Sequence, residues 1–416
     1  MTLLDGSTTS PRLTPLGARR TIESLRSGVP GREAVSQLET TQRGLRSTFE
    51  KGLTALAEDR PVDPLVLSAN FGAGKTHLLE YLEALAERRG FVTSYVVVSP
   101  EMPLGSPHVV LKAIAEAAVA PGRVGCALSA LADDLGSHVS LAALRGWAIE
   151  SGLDGRFAAT AHLYEKFRAD EELRWQILDD LQGRPLSRVT IKQKLKEIGE
   201  ARTYAMGRTH GALLARDRIR MLARFYRSAG AQGWVVLFDE IERMGRFSLK
   251  QRVAAYEELG WWKEIAAQEG AAIYPVFAMT TGFLQETVTG GSNDAQRLEV
   301  DTRSGSREAG DRRLCDGIAL LKTGRELAPT TPSEEAEIAE RLRQIYEAAY
   351  GIAVPPVTID VADAWLVLRT KIRRWITRWD LLRYDPAYVA EVSAAAVEFD
   401  EASVPEVAMD GGEDES

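Results

Sequence analysis

Residues Ala69-Asn70-Phe71-Gly72-Ala73-Gly74-Lys75-Thr76 have the types and spacing needed to hold a chain of phosphates. A tight glycine-bearing turn points successive backbone N–H groups inward, and a helix starting at its end adds the positive end of its dipole. The lysine supplies a mobile cation for the β- and γ-phosphates, and the next hydroxyl can ligate Mg²⁺. The loop fits the looser Walker A pattern, with Ala69 where the strict form has glycine. Nucleotide contacts are expected from Asn70, Phe71, Gly72, Ala73, Gly74, Lys75, Thr76 and His77, with Lys75 also acting on the transferred phosphate. Farther along, Trp234-Val235-Val236-Leu237-Phe238 runs directly into Asp239-Glu240. An apolar strand ending in an acid pair is a Walker B pattern. Asp239 with Thr76 would hold Mg²⁺, and Glu240 would polarise the attacking water as general base. The acid pair also speaks against a small-molecule kinase, whose acceptor is a substrate hydroxyl.

Either motif alone has a bland reading, a Gly-rich strand-to-helix turn or a core strand ending in solvated acids. Together they predict an ATPase of the AAA+ type that uses ATP and Mg²⁺. Weaker features fit around them. Thr280-Thr281 follow the fourth strand, where AAA+ proteins carry a polar sensor between the two motifs; a plain strand-end threonine pair is an equal reading. Gly28-Val29-Pro30-Gly31-Arg32 either contacts adenine or simply breaks a helix. A basic helix over 361–383 places Trp365, Leu368, Ile372, Ile376 and Trp379 on a core face. Lys371, Arg374 and Arg378 share another face, with Arg369 and Arg373 adjoining. Arg373 or Arg374 is the candidate for a second sensor at the γ-phosphate; DNA phosphates or plain solvent are the alternatives. Arg312 and Arg313 are candidates for arginine fingers in a homo-oligomer. His77, His108, His138, His162 and His210 show no metal spacing, and Trp261 and Trp262 read as core.

These residues need a scaffold of strands and helices. Leu65–Ser68, Phe91–Ser99, Trp234–Phe238 and Ile273–Met279 read as strands, although Pro275 counts against the middle of the last. Strands alternating with helices predict an α/β fold: a P-loop, AAA+-like parallel sheet flanked by helices. Between the second and third strands the chain reads almost wholly as helix, at 107–119, 155–184 and 190–227. The expected organisation is a flexible arm at 1–17 and a P-loop ATPase domain at 18–325 with a helical insertion at about 120–230. A C-terminal helical lid or winged-helix-like domain follows at 326–397, and a disordered acidic tail at 398–416. Helices are expected around Ile22 and Leu25, and again around Val35, Leu38, Leu45 and Phe49. Residues 289–313 read as a polar, mobile loop.

The net charge of −8 comes from the tail, whose 19 residues from Glu398 carry eight acids and no bases. It therefore excludes no nucleic-acid partner for the rest of the chain. Two cysteines without a CxxC pattern speak against a zinc site or a disulfide scaffold and fit a cytoplasmic protein. No apolar run is long enough to span a membrane, so no membrane partner is expected.

The stretches RRTIESLRSGVPGREAV, NFGAGKTHLLEYLEALAERRGFVTSYVVVSPEMPLGSP and WVVLFDEIER resemble the BrxD family, ATP-binding proteins of BREX bacteriophage-defence systems. The ending IRRWITRWDLLRYDP is similar as well. The resemblance runs from about residue 18 to about 385, and the SGVPGR and SPEMPL segments are more specific than the P-loop motifs. It implies an AAA+-like ATPase working beside a DNA methyltransferase, a phosphatase-like protein and other phage-defence proteins.

Three functions fit these observations. One is an ATP-hydrolysing switch or motor on DNA or on a DNA-bound defence complex. The second is a non-hydrolysing, ATP-binding adaptor that organises partners. The third is a signalling NTPase controlling transcription, with the C-terminal helices as the DNA reader.

Overall fold

The structure, a computed structural model, describes residues 14–27, 37–38, 40–70, 72–132, 138–207, 211–303, 310–358 and 366–388. The chain opens on helix α1 (Pro15–Ser27), which buries Ala18, Ile22 and Leu25. Helix α2 (Arg43–Ala57) buries Leu45, Phe49, Leu53 and Leu56, a stripe at helical spacing. Strand β1 (Leu65–Ala69) follows, buried along its whole length. Helix α3 (Lys75–Arg88) leads to β2 (Val92–Val97).

The segment between β2 and β3 is helical, as its lack of strand pattern predicts. It contains α4 (Pro107–Glu116), α5 (Ala127–Ala132), α6 (His138–Glu150), α7 (Gly155–Lys166), α8 (Glu171–Leu181), α9 (Arg188–Glu197) and α10 (Gly211–Ser228). Asp154, Asp170 and Ser187 cap α7, α8 and α9 by accepting backbone N–H groups. Strand β3 (Trp234–Asp239) is followed by a 3-10 turn over Ile241–Arg246 and by α11 (Leu249–Ala266), which starts in a Ser248/Gln251 capping box. Strand β4 (Ile273–Thr280) runs into a helical and π turn over Thr281–Val288, then α12 (Asp294–Arg303) and α13 (Gly310–Lys322). Strand β5 (Arg325–Glu326), α14 (Pro332–Tyr350) and α15 (Leu368–Tyr384) complete the described chain.

The five strands form one parallel sheet in the order β2-β3-β4-β1-β5. β4 therefore lies between the strand that precedes the phosphate loop and the strand that ends in the acid pair. Pro275 is accommodated because β1 begins pairing only opposite Val276, so β4 still has an open side at the proline. Both faces of the sheet are covered, as an all-parallel sheet requires. One face packs on α2 and α3 through Leu67, Leu79, Leu82, Val235 and Leu237. The other packs on the helical segment and α11 through Val236, Phe238, Phe277 and Trp262. Trp261 and Trp262 are buried as expected.

A third apolar cluster joins chain segments far apart in sequence. Ile22 and Leu25 of α1 pack with Leu342, Ile345 and Tyr346 of α14 and Ile376 and Trp379 of α15. The N-terminal helix thus belongs to the packing of the C-terminal helices, and it already begins at Pro15, inside the expected flexible arm. Thr331 and Glu334 form a capping box at the start of α14, and Gly351 ends that helix in the left-handed region. Among the described residues after Glu326 no strand follows.

The polar stretch 289–313 is not a single loop: most of its described residues lie in α12 and α13. The reason is Asp294, fully buried, whose carboxylate accepts from Arg252 (2.6 and 2.8 Å) and from the Tyr256 hydroxyl (2.9 Å). These charge-assisted bonds anchor the first turn of a helix that also buries Ala295 and Leu298. The basic helix begins at Leu368 rather than 361. The arm before Thr14, the Gly28–Arg32 segment, Phe71, Val35, His210, Trp365 and the acidic tail lie outside the described residues. Among the described residues no helix is long and apolar enough to cross a membrane.

Candidate nucleotide site

The two motifs meet at the carboxyl ends of β1 and β3. Gly74 starts α3 in the left-handed region (φ 94°), which a glycine adopts without steric cost. Gly72, also left-handed, lies under the segment entering α15; a Cβ there would sit 3.2 Å from the Val367 side chain. The turn directs Lys75 and Thr76 toward the end of β3. Thr76 Oγ1 donates to Asp239 Oδ2 at 3.3 Å, and Lys75 Nζ stands 3.6 Å from Asp239 Oδ1.

Asp239 is buried and held from two further directions. The Tyr95 hydroxyl donates to Oδ2 at 2.6 Å, and the Glu240 backbone N–H donates to Oδ1 at 2.8 Å. Burial, followed by the Asp239 charge, pushes the Tyr95 phenol above its usual value, so it remains the donor. Glu240 occupies the left-handed region (φ 58°, ψ 39°), a conformation that a non-glycine residue holds only where its surroundings impose it. Its carboxylate is ion-paired with Arg243. Glu242 takes the lysine: its Oε1 accepts from Lys75 Nζ at 2.8 Å, and its Oε2 accepts from the Thr280 backbone N–H at 3.2 Å.

Lys75, Thr76, Glu240 and Glu242 line a cavity of about 300 Å³. Asn70, Gly72, Ala73, Gly74, Lys75, Thr76, His77, Glu240, Glu242 and Thr280 form the polar end. Leu25, Leu38, Leu327, Ile338, Leu368 and Ile372 form an apolar end built largely from α1, α14 and α15. A pocket with a phosphate cradle at one end and aliphatic walls at the other suits a nucleotide. Burial lowers the His77 imidazole below its usual range, against a hydrogen bond with the Leu38 backbone, so a neutral ring faces the cavity. Between the two ends, the Gln42 side chain bonds both Ala328 O (2.9 Å) and Ala328 N–H (3.0 Å), joining the chain before α2 to the chain before α14.

The structure brings together every described residue expected at the loop and at the end of β3, and Thr280 with them. It does not bring Arg373 or Arg374 to the cavity. Arg373 donates to the backbone carbonyls of Arg26 (3.1 Å) and Ser27 (2.7 Å), at the end of α1, and Arg374 is exposed. The arginine of α15 that lines the cavity is Arg369. Lys371 is not on an exposed basic face: it is buried and pairs with Glu335 at 2.6 Å. Arg313 pairs with Glu264 at 2.7 Å, while Arg312 is exposed. Sequence reasoning missed Tyr95 and Glu242, and it named Arg369 only as adjoining the basic face. Glu242 stands two residues past the acid pair and was within reach of a closer reading of Asp239-Glu240-Ile241-Glu242; Tyr95 lies mid-strand with no local signal. Among the described residues no group of three or more His, Cys, Asp or Glu side chains could hold a metal alone.

These features define an α/β protein with a parallel sheet and a site shaped for a nucleotide's phosphates. The model of the family described as BREX system ATP-binding protein BrxC/D matches residues 14–143 and 163–366, and the chain belongs to that family. It is accordingly an ATP-binding protein of a BREX system. The internal stretch left unmatched, 144–162, falls in the helical segment between β2 and β3. Neither curated proteins nor solved structures yield a match.

Proposed function

We propose that the chain is a cytoplasmic AAA+-type ATPase that binds ATP with Mg²⁺ between the phosphate loop and the C-terminal helices and hydrolyses it. The observation that carries this reading is the convergence of Thr76 and Lys75 on Asp239. Thr76 and Asp239 would hold Mg²⁺, which would draw charge from the β- and γ-phosphates. The backbone N–H groups of Gly72 to Thr76 would cradle the phosphates, and Lys75 would reach the γ-phosphate. Glu240, once released from Arg243, would take a proton from the attacking water. Thr280, at the end of the strand between the two motifs, is the sensor candidate. Arg369, rather than Arg373 or Arg374, is the arginine that α15 offers to the γ-phosphate.

In this reading α1, α14 and α15 act as a lid over a P-loop domain, and Gln42 with Ala328 marks where the two connections run side by side. ATP would bridge lid and sheet, so its hydrolysis would alter their contact. The work of the lid is assigned to DNA or to other proteins of the phage-defence system, with Arg374 and Arg378 among the exposed cations of α15. The Glu240–Arg243 ion pair favours a second reading, an ATP-binding adaptor that does not turn over alone. Phosphate release measured with and without duplex DNA and BREX partner proteins separates the two. Turnover in any of these conditions supports the ATPase; ATP binding without turnover in all of them supports the adaptor.

A further inference from the structure

Glu242 has no role in the phosphate chemistry described above, yet it is the nearest anion to Lys75. Its two oxygens divide their work. Oε1 accepts from the Lys75 ammonium at 2.8 Å, closer than Asp239 at 3.6 Å, while Oε2 is held by the Thr280 N–H at 3.2 Å. The backbone bond from β4 aims the carboxylate across the sheet's edge at the lysine. Both Glu242 and Lys75 line the cavity beside the phosphate loop.

We propose that Glu242 is a positioning carboxylate that stands in for a nucleotide's phosphate. It holds Lys75 extended in the absence of ligand and gives the lysine up only to a ligand that carries a β-phosphate. The inference rests on the ATP-binding reading of this cavity. An ammonium largely withdrawn from water leaves a carboxylate readily only for a stronger anion at the same place. Di- and triphosphates offer one; a nucleoside monophosphate, whose single phosphate lies short of the lysine, does not. The pair therefore weakens every ligand that must displace Glu242 and leaves the affinity for a monophosphate untouched.

The test is calorimetric titration of the full chain with Mg²⁺-ATP, Mg²⁺-ADP and AMP, for the parent and for Glu242→Gln. The amide keeps an oxygen for the Thr280 N–H and removes the charge that competes for Lys75. ATP and ADP are expected to bind about threefold or more tighter, in the range of coupling between residues in contact. AMP is expected to stay within about twofold of the parent, on the same scale. Equal changes for all three ligands, or none for ATP and ADP, would overturn the proposal. If thermal melting shows that Glu242→Gln does not fold, Glu242→Asp serves instead. It keeps the charge on a shorter arm and is expected to tighten ATP, with AMP again unmoved; unchanged ATP affinity overturns the proposal. Lys75→Ala in the same series separates the two levels: if it binds ATP like the parent, the assignment of the cavity fails, whereas loss of ATP with an unresponsive Glu242 removes only this inference.

Discussion

The hydroxyl of Tyr95 donates to the carboxylate of Asp239 at 2.6 Å, so β2 fixes the acid that ends β3. The bond points one oxygen of Asp239 toward Thr76, where Mg²⁺ would be held. A hydrogen bond to a charged group contributes about 1.5–3 kcal/mol. Tyr95→Phe is therefore expected to weaken Mg²⁺-dependent ATP binding about tenfold and leave the fold intact. Titrating Mg²⁺ at fixed ATP checks this; an unchanged Mg²⁺ midpoint removes Tyr95 from the site.

Glu240→Gln is expected to retain ATP binding and lose turnover by about 10²–10⁴-fold, the usual contribution of a general base. The amide keeps the size of the carboxylate but cannot accept a proton at neutral pH. Single-turnover hydrolysis of bound ATP is the readout. Parental rates would assign the base elsewhere.

Among the α15 arginines, Arg369→Ala is expected to lower turnover in the absence of DNA, because Arg369 alone of the three lines the cavity. Arg374→Glu is expected to leave DNA-free turnover unchanged. Arg373→Ala is expected to loosen the contact with the end of α1, which a lower melting temperature reports. If Arg374→Glu instead impairs DNA-free turnover, the sensor lies where the sequence first suggested.

Lys371→Ala is expected to destabilise the α14–α15 packing by about 3–5 kcal/mol, because it leaves Glu335 buried without its cation. Denaturant unfolding measures this. A loss below about 1 kcal/mol, the value of an exposed pair, would show that the pair is solvated.

The phosphate loop, the acid pair and the strands that carry them were legible because their signals are local. A glycine turn between strand and helix, and an apolar run ending in acids, each declare themselves within about ten residues. The helical character of the long segment between β2 and β3 was legible for the same reason. What was hidden depends on partners distant in sequence. Lys371 reads as a surface cation until α14 brings Glu335 to it, and α12 reads as a loop until Arg252 and Tyr256 bury Asp294. Arg369, in the first turn of α15, lines the cavity, whereas Arg373, one turn further on, is drawn to the end of α1 by chain brought there from far away in sequence. Tyr95 carries no local mark at all, since an aromatic residue in a buried strand is most often core.

On the proposed reading, ATP occupies the cavity between the phosphate loop and α15, held by Lys75. Calorimetric titration of the parent chain and of Lys75→Ala with Mg²⁺-ATP tests it most directly. Losing charge-assisted bonds worth about 1.5–3 kcal/mol each should weaken binding at least about tenfold while the melting temperature without ligand stays close to the parent's. Equal affinity in the two proteins would contradict the claim.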